Sequence, residues 1–567
     1  MDIKSTTNAK KQENKDKSRT SEAPKTISWK DFIKINWYFL QDLKKPFVFW
    51  AIVLLLAFFA ELIPPAIFGS MLNALTQFNK DLFIKLAITF GVVNALIAVI
   101  RLSAKEKAGI IRAKTAKNVK ILGFQSLIKQ SILWHQKQDV GTKITKIEQG
   151  AEAVELFQRD LYQKYYNVLK NTLGVLTIFL FISPFLTIIA ILYLVIFLLI
   201  QHYYNKKTIK LIDQIQQLKE ATQGKFTETL SNILTVKAQS QKLAKDTIQK
   251  AQELLTIKKI EFLKVKNSKW KIFQTFNSFT QSIVYLYLGL QTLAHKTTIG
   301  TFTVLAQYFN SFRSVVGQAT VYYDDLLEMR QKITRMMDNF QDITTYPGKY
   351  NWPKNFKYIK LTNLRFKIDN FELKNINFTI HKNEHIGLVG PSGSGKSTLI
   401  KILLGLYPLE DKNMYKINEI PFLDIKADQR NQKLAVVLQD VELFNMSLQD
   451  NILLAKPFNS KLYERVVQIA QINEFVNNLP QKHNTIIGEK GYKLSGGQRQ
   501  RIGLARALYQ QPEILILDEA FSNIQINLAK QIIKDLQKQN LTIIHVTHNP
   551  LLLKYTTKTL SLENPQN

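Results

Sequence analysis

A glycine-rich stretch in the last third of the chain has the residue types and spacing needed to hold phosphate groups. Residues 390–398 read GPSGSGKST; an apolar run that predicts a β-strand precedes them, and a segment with helical spacing follows. In such a turn, backbone N–H groups and the positive end of the helix dipole face an anion. Lys396 can then reach terminal phosphates, and the Ser397 hydroxyl can bind Mg²⁺. The predicted nucleotide-binding residues are Gly390, Ser392, Gly393, Ser394, Gly395, Lys396, Ser397 and Thr398.

Four further motifs follow this loop in a fixed order. They are LQD with Gln439, LSGGQRQR at 494–501, the apolar strand ILILDE ending in Asp518 and Glu519, and HVTH ending in His548. Together with the loop they resemble the Walker A loop, Q-loop, signature motif, Walker B strand and switch histidine of the ATPase domain of ABC transporters. The resemblance covers about residues 346–562 and implies that the chain binds ATP and Mg²⁺.

The resemblance also implies a role for each polar residue of these motifs. Asp518 would hold Mg²⁺ through water, and Glu519 would orient or deprotonate the attacking water. Gln439 would contact Mg²⁺ and the γ-phosphate, and His548 would hydrogen-bond the γ-phosphate. We therefore expect a catalytic set of Glu519, His548 and Gln439, and a metal-binding set of Ser397, Gln439 and Asp518.

The signature motif forms a second anion-binding turn, with Ser495, Gly496, Gly497 and Gln498. In the family this turn faces the nucleotide held by the partner subunit. Because the sequence has one phosphate loop and one signature, the resemblance implies a head-to-tail dimer of half-transporters that encloses two ATP molecules. We favour a homodimer, while a subunit of a heterodimer, including a catalytically weak one, stays open.

Two positions depart from the family pattern. Where the family has an aromatic residue that stacks on adenine, this sequence has Ile368, which leaves Phe366 or Phe371 as substitutes. Where it has an aspartate after the catalytic glutamate, this sequence has Gln525. Neither change removes a predicted phosphate, metal or water ligand. His545, close to the switch histidine, is interpreted as an interior strand residue.

Composition limits the partners of the chain. Lys and Arg total 76 against 44 Asp and Glu, a net charge of +32, which suits phosphates of nucleic acid or of anionic lipid headgroups. Long apolar stretches favour the lipid bilayer and argue against a soluble ABC ATPase acting on nucleic acid or ribosomes. There is no cysteine, so disulfides and thiolate chemistry are excluded.

The apolar stretches predict six membrane spans. The run between Lys170 and His202 is too long for one span, and Ser183-Pro184 divides it into two. The last two spans are more polar than the others. The predicted spans are 47–68, 82–100, two within 170–202, 273–294 and 299–321.

The connections between spans alternate between short and long. The long ones are rich in lysine, so the positive-inside rule places them, both termini and the ATPase domain in the cytoplasm, with the spans in the cell membrane. These segments keep helical periodicity and are expected to extend the spans beyond the bilayer. Residues 134–154 and 226–239 resemble intracellular segments of exporter-type ABC transporters, and residues 485–491 resemble the motif that exporters place before the signature.

The predicted fold is therefore an α-helical membrane domain of the exporter type followed by an α/β P-loop ATPase domain. We expect a disordered basic tail at 1–28, a transmembrane domain at 29–343 that begins with an interfacial helix at Trp29–Lys45, and an ATP-binding domain at 346–567. Glu61 and Arg313 are candidates for lining a substrate cavity, whereas Lys170 and Asn310 suit structural roles better. The resemblance implies ATP-driven export of a lipid, peptide or drug-like molecule, with an importer built on the same fold as the alternative.

Overall fold

The computed structural model describes residues 27–137, 140–340, 348–368, 371–488 and 492–562. Residues 1–26 of the tail predicted at 1–28 therefore lie outside the described residues. Most of the linker predicted at 344–348 lies outside them as well. The chain divides into two compact units, the first running to Ile343 without Ser131–Leu133, and the second formed by Ser131–Leu133 with Thr344–Asn567.

The described residues of the first unit are helical apart from caps and short turns. The third long helical stretch, Val140–Ile182, is α-helical except for two π-helical segments, Leu161–Tyr165 and Lys170–Gly174. The helices are α1 Trp29–Leu40, α2 Lys44–Ala60, α3 Ile63–Thr76, α4 Lys80–Lys129, α5 Ile132–Lys137, α6 Val140–Asp160, α7 Tyr166–Leu169, α8 Val175–Ile182, α9 Pro184–Ser231, α10 Ile233–Gln239, α11 Gln241–Leu293 and α12 Ile299–Met337.

Several of these helices are far longer than a membrane is thick. Helices α4, α9 and α11 have 50, 48 and 53 residues. At 1.5 Å per residue each is more than about 70 Å long, against about 30 Å for the hydrocarbon core of a bilayer. The lysine-rich segments thus continue the apolar ones as uninterrupted helices, because their sequences keep helical periodicity after hydropathy falls.

Four helical stretches in the described part of the chain are long and apolar enough to cross a membrane. They are Trp29–Thr76, Lys80–Lys129, Val140–Ile182 and Pro184–Ser231. The fourth begins directly after Ser183, where Pro184 starts a new helix as its missing N–H allows. Helices α11 and α12, which contain the last two predicted spans, are more polar and are not among the four. The count of six spans therefore stays a prediction.

The first span is broken near its middle, which the sequence did not lead us to expect. Helix α2 ends at Ala60, α3 begins at Ile63, and Glu61 lies at the break. Pro64 and Pro65 have no N–H to donate to the carbonyls one turn earlier, so the helical hydrogen bonding is interrupted there. The Tyr308 hydroxyl from α12 donates to the Leu62 carbonyl beside the break, at 2.6 Å.

The predicted interfacial helix forms, but its apolar residues do not share one face. Ser28 caps α1 by accepting a hydrogen bond from the Asp31 amide at 3.1 Å. Phe32 and Phe39 are buried against other helices of the first unit, whereas Ile33 and Trp37 are exposed. The helix therefore packs on protein along one side and presents a second apolar side outward.

The second unit is an α/β domain whose strands form three sheets. A parallel sheet has the order β11-β3-β10-β9-β6, an antiparallel sheet has the order β2-β1-β4-β5, and β7 pairs with β8. The strands are β1 Tyr358–Ile368, β2 Phe371–His381, β3 His385–Val389, β4 Tyr415–Ile417, β5 Ile420–Pro421, β6 Leu434–Val437, β7 Met446–Ser447, β8 Ile486–Ile487, β9 Ile514–Asp518, β10 Thr542–Val546 and β11 Lys558–Ser561.

Helices cover the parallel sheet, whose central strands are almost wholly apolar. Buried strands of a parallel sheet bring their carboxyl ends to one edge, which is where ligands bind in such folds. The polar residues that follow β3, β6, β9 and β10 therefore meet at this edge. The helices are α13 Lys396–Leu403, α14 Ala427–Lys433, α15 Leu448–Leu453, α16 Ser460–Ile469, α17 Asn473–Val476, α18 Gly496–Tyr509, α19 Ile526–Gln537 and α20 Pro550–Leu553.

Candidate nucleotide site

The phosphate loop joins β3 to α13, as the sequence predicts. Lys396, the first residue of the helix, is largely buried, and its ammonium donates hydrogen bonds to the carbonyls of Gly390 and Pro391, both at 2.9 Å. The side chain thus bends back across the loop. Gly395 has a φ of 95°, and a Cβ there would lie 2.5 Å from the Phe371 ring, so only glycine fits.

The hydroxyl residues of the loop differ in exposure. Ser394 is 1 % exposed, and its hydroxyl has no hydrogen-bond partner among the described residues, while Ser392 and Ser397 are exposed and Thr398 is half-buried. Ser397 lies at the second position of α13, where its side chain is free to bind a cation at the helix start. The loop therefore presents an ammonium and an accessible hydroxyl together, as the sequence predicts.

The two acidic residues lie where β9 ends. Burial, together with the neighbouring Glu519 carboxylate, raises the pKa of Asp518, and Lys396 opposes this effect. Glu519 leaves the strand with a φ of +48°, and its amide donates to the Val546 carbonyl at 3.0 Å. That bond holds the backbone in a conformation uncommon for a residue with a side chain.

Gln439 and His548 both reach the Glu519 carboxylate. The Gln439 side-chain amide donates to Glu519 Oε2 at 2.8 Å, and His548 Nε2 lies 3.5 Å from Glu519 Oε1. Gln439 comes from the loop after β6 and His548 from the loop after β10. The fold thus brings together the three residues expected to form the catalytic set.

The signature residues begin α18, and their polar groups are used to cap it. Ser495 accepts a hydrogen bond from the Gln498 amide at 3.3 Å, and the Ser495 amide donates to the Gln498 side chain at 2.8 Å. Gly497 packs so closely on Asn523 that a Cβ would lie 2.5 Å from the Asn523 carbonyl oxygen. In the described part of the chain, no hydrogen bond joins these residues to the phosphate loop.

Gln500 is a residue of the site that the sequence reasoning missed. It is 1 % exposed, and its side-chain nitrogen donates to the Ser522 hydroxyl at 2.9 Å and to the Gln439 carbonyl at 3.2 Å, with the Glu519 carbonyl at 3.4 Å. Its side-chain oxygen accepts from the Asn523 amide at 3.1 Å. The sequence feature that could have identified Gln500 is its position two residues after Gln498. In a helix that spacing places Gln500 on a different face from Gln498, toward the domain interior.

Of the three residues considered for stacking on adenine, Phe371 lies beside the phosphate loop. Its ring approaches Gly395, while Ile368 is paired with Phe371 across the β1–β2 ladder. Phe366 is buried and stacked on Tyr407, with ring centroids 5.0 Å apart. Phe366 thus belongs to the core.

His545 is an interior residue of β10, as interpreted from the sequence. It is fully buried and stacks on His385, with ring centroids 5.7 Å apart. Burial lowers the pKa of His545 to about 3 and that of His385 to about 4. Gln525, the other departure from the family pattern, is exposed at the start of α19.

Comparison with known families agrees with this two-part architecture. Residues 47–316 match the family described as ABC transporter transmembrane region, and residues 373–522 match the family described as ABC transporter. The chain is an ABC transporter. It joins an exporter-type transmembrane region to an ATP-binding domain, which confirms the predicted fold class apart from the number of spans.

Individual relatives of this ABC transporter differ in how much of their length is matched. The leukotoxin translocation ATP-binding protein LktB of Mannheimia haemolytica is 33% identical over 50% of this chain, but only 41% of its own length is covered. The multidrug resistance-like ATP-binding protein MdlA of Buchnera aphidicola subsp. Schizaphis graminum is 26% identical, with 91% of each chain covered. The chain thus spans less than half of the first relative and nearly all of the second.

A solved structure shares the fold of both units. The structure of a bacterial Atm1-family ABC exporter with ATP bound has a TM-score of 0.81, with 20% sequence identity, over 92% of this chain and 94% of that one. At that identity the similarity establishes the exporter fold and not the substrate.

Proposed function

We propose that this ABC transporter hydrolyses ATP and uses the energy to export a substrate across the cell membrane. The observation that carries the proposal is the Glu519 carboxylate, which follows Asp518 directly and is contacted by Gln439 and His548. Phosphoryl transfer to water depends mainly on positioning and on charge neutralisation. A carboxylate fixed by two polar neighbours is suited to orient or deprotonate the attacking water.

The remaining residues of the site divide the work of holding the nucleotide. Lys396 and the loop amides bind the β- and γ-phosphates, and His548 hydrogen-bonds the γ-phosphate. Phe371 stacks on the adenine. The Gln439 side chain donates to the Glu519 carboxylate, and the Gln439 carbonyl accepts from Gln500 of the signature helix α18. Gln439 would therefore link binding of the nucleotide to movement of that helix.

The site has the oxygen donors that Mg²⁺ prefers. Ser397 would bind the ion directly, with Gln439 at its side and Asp518 contributing through water. Burial and the adjacent Glu519 carboxylate raise the pKa of Asp518, and a cation held here would relieve the repulsion between the two carboxylates. When bound, Mg²⁺ neutralises charge on the phosphoryl group being transferred.

A second copy of this chain is the proposed partner. Ser495, Gly496, Gly497 and Gln498 start α18, a helix long enough to bind an anion at its N-terminus, yet no hydrogen bond joins them to the chain's own phosphate loop among the described residues. The signature of one subunit would therefore complete the site of the other. Retention of Lys396, Glu519, Ser495 and His548 favours a homodimer with two hydrolysing sites over a specialised heterodimer.

Mixing two inactive variants tests both hydrolysis and dimerisation. Lys396→Ala removes the phosphate contact of the loop, and Ser495→Arg blocks the signature. Each variant alone has two damaged composite sites, whereas a mixed dimer carries both lesions in one site and leaves the other intact. We expect ATPase activity to reappear on coassembly, provided one intact site suffices.

Two results would contradict this proposal. A purified wild-type chain that is inactive until a different half-transporter is added would establish a heterodimer. A wild-type chain that binds ATP but never hydrolyses it, alone or with a partner, would reject the assignment of Glu519.

The proposed substrate is a drug-like molecule. The relative matched over nearly its whole length is named for multidrug resistance, which favours such a molecule over a toxin protein. Both termini and the ATP-binding domain would face the cytoplasm, and nucleic acid is not a proposed partner. ATPase stimulation in lipid vesicles, with transport direction recorded, distinguishes export from import on the same fold.

A further inference from the structure

Three charged side chains from different helical stretches meet at the break in the first span. Glu61 forms ion pairs with Arg101 of α4 and with Lys170, whose ammonium donates to Glu61 Oε2 at 2.8 Å. All three residues lie in stretches that are long and apolar enough to cross a membrane. Ionisable side chains at such positions are rare, face the protein interior or a water-filled cavity, and are a signal for substrate or ion pathways.

The sequence also singled out Asn310 and Arg313, and the structure separates them from this cluster. Asn310 donates to the Tyr285 hydroxyl at 2.5 Å, and Arg313 donates to the Asn277 carbonyl at 3.4 Å. Both contacts join α12 to α11. These two residues therefore have helix-packing roles, whereas Glu61 and Lys170 belong to the charged cluster.

Two cavities share Glu61 and Arg101. The first has a volume of about 510 Å³ and an apolar wall that includes Pro65, Phe68 and Phe90. Its few polar groups other than the shared pair come from Asn94 and Gln307. This combination of apolar wall and sparse polar groups is typical of sites for small organic molecules.

The second cavity has a volume of about 390 Å³ and is also lined by the shared pair. Lys105 lines it one helical turn beyond Arg101, and Phe58, Tyr162 and Asn167 complete much of the wall. One carboxylate, Glu61, thus lines this cavity together with two cations, Arg101 and the exposed Lys105, and Glu61 is also ion-paired with Lys170. The cluster has an excess of positive charge.

The backbone around the cavities is irregular in the way that binding sites in membrane helices are. Glu61 follows the end of α2, and Tyr162, which lines the second cavity, lies in the first π-helical segment. Lys170, in the second π-helical segment, is ion-paired with Glu61. Interrupted helices expose polar groups at membrane depth only where they line a cavity or pack in protein. π-helical segments are frequent at functional sites.

We propose that the two cavities form one binding site for an amphipathic organic anion, an inference that rests on the proposed transport function. The apolar body of the ligand occupies the first cavity. Its acidic group, a carboxylate, sulfonate or phosphate, binds Arg101 and Lys105 at the second. Glu61 holds Arg101 and Lys170 in place and is the internal anion with which the ligand competes.

The test uses one fluorophore in three charge states, bound to the full chain in phosphatidylcholine nanodiscs without nucleotide. The probes are 5-dimethylaminonaphthalene-1-sulfonate, its neutral sulfonamide, and the cationic conjugate with a diaminopentane chain. We expect the sulfonate to bind at least about tenfold more tightly than the sulfonamide. Tightest binding by the cationic probe would overturn the proposal.

Variants then assign the site. Arg101→Gln and Lys105→Gln should each weaken sulfonate binding about tenfold and leave the sulfonamide unaffected, while Lys107→Gln, which removes the same charge from an exposed position on α4, should change neither. Glu61→Gln should strengthen sulfonate binding about threefold, because the competing carboxylate is gone. A purely structural ion-pair cluster would instead lose binding of all three probes in Glu61→Gln.

Arg101→Lys keeps the charge and should retain sulfonate binding, so the assignment stays testable if Arg101→Gln fails to fold. Equal sulfonate affinity of the wild type, Arg101→Lys and Lys105→Gln would overturn the proposal.

Nanodiscs that contain phosphatidylglycerol separate two sources of the anion. If phosphatidylglycerol weakens sulfonate binding in the wild type but not in Lys105→Gln, the natural occupant is an anionic lipid. If the wild type binds the sulfonate equally well with and without phosphatidylglycerol, the occupant is a soluble anion. Both results support the anion assignment.

Failure of transport and failure of binding are distinguishable. If the sulfonate binds as predicted but no anion stimulates ATPase activity, the transport function is wrong and the binding site stands. If ATPase activity and transport are present but sulfonate binding is insensitive to Arg101 and Lys105, the substrate assignment is wrong and the transport function stands.

Discussion

The side-chain amide of Gln439 donates a hydrogen bond to Glu519 Oε2 across 2.8 Å, although 80 positions separate the two residues in the chain. Gln439 follows β6 and Glu519 follows β9, and these strands are neighbours in the parallel sheet. The bond fixes the carboxylate from one side while His548 approaches from the other. The carboxylate proposed to activate water and the loop after β6 are therefore joined by one short contact.

Replacing the carboxylate of Glu519 tests its part in hydrolysis. Glu519→Gln should bind MgATP but lose about 10²-fold or more in turnover, the scale expected of a general base or a positioning group. Glu410→Gln, at an exposed glutamate, is the matched control and should be unchanged. Steady-state ATPase assays and nucleotide-binding measurements check both, and near-normal turnover of Glu519→Gln would refute the assignment.

Gln500 should act by positioning the loops around Glu519. Gln500→Ala removes side-chain hydrogen bonds to Gln439, Ser522 and Asn523 and should lower kcat by about tenfold while KM changes little, because ATP itself is not contacted. Losing the hydrogen bonds of this buried side chain should also reduce the free energy of unfolding, by about 1 kcal/mol for each bond.

The control for Gln500 is Gln510→Ala at the end of the same helix, where the side chain hydrogen-bonds the Asn431 carbonyl instead. Its kcat should be unaffected. Equal loss of kcat in both variants would show that general destabilisation of α18, and not loop positioning, explains the effect.

The effect of substitutions on ATP affinity distinguishes Phe371 from Phe366 and Ile368 as the residue that stacks on adenine. Phe371→Ala should weaken ATP binding by about 1 kcal/mol, roughly fivefold, because an aromatic contact is lost. Phe366→Ala should leave affinity in the folded protein unchanged but lower stability by about 3–5 kcal/mol, since its ring is buried against Tyr407. If Ile368→Tyr tightens binding while Phe371→Ala has no effect, the base stacks at Ile368.

The paired histidines should make the protein less stable in acid. Burial lowers the pKa of His385 to about 4 and of His545 to about 3, below the value near 6.5 expected in the unfolded chain. Below pH 6.5 the unfolded state binds more protons, so each histidine lowers the free energy of unfolding by up to about 1.4 kcal/mol per pH unit until its native pKa is reached. Their stabilising effect is complete above pH 6.5.

Thermal unfolding of the full chain between pH 7.5 and 4.5 checks this effect. The transition midpoint should fall more steeply with decreasing pH in the wild type than in the double variant His385→Leu with His545→Leu, which cannot be protonated at these positions. Parallel slopes for the two proteins would mean that the histidines are already charged in the native state.

The absence of native cysteine gives a direct test of orientation. Phe78, between α3 and α4, is 95% exposed, and Leu234, in α10, is 83% exposed. In intact cells, Phe78→Cys should react with a membrane-impermeant maleimide, whereas Leu234→Cys should react only after permeabilisation. The reverse pattern would invert the proposed topology.

The sequence by itself determined the nucleotide chemistry and the order of the elements. A phosphate loop needs glycines, a lysine and a hydroxyl within a few consecutive residues, so local spacing is sufficient to predict it. Asp518 and Glu519 ended an apolar strand for the same local reason. The length of the apolar runs likewise predicted the early membrane helices. Helices α11 and α12 are more polar, so the predicted count of six spans stays untested.

Only the tertiary structure decided which distant groups meet. Gln500 and Phe371 gained their places from the packing of α18 and β2 on the phosphate-binding edge, which no local pattern contains. The pairing of Glu61 with Arg101 and Lys170 depends on three separate helical stretches. Sequence spacing fixes contacts within one turn or strand, whereas contacts between elements depend on how buried faces pack, and that packing placed the charged cluster beside its two cavities.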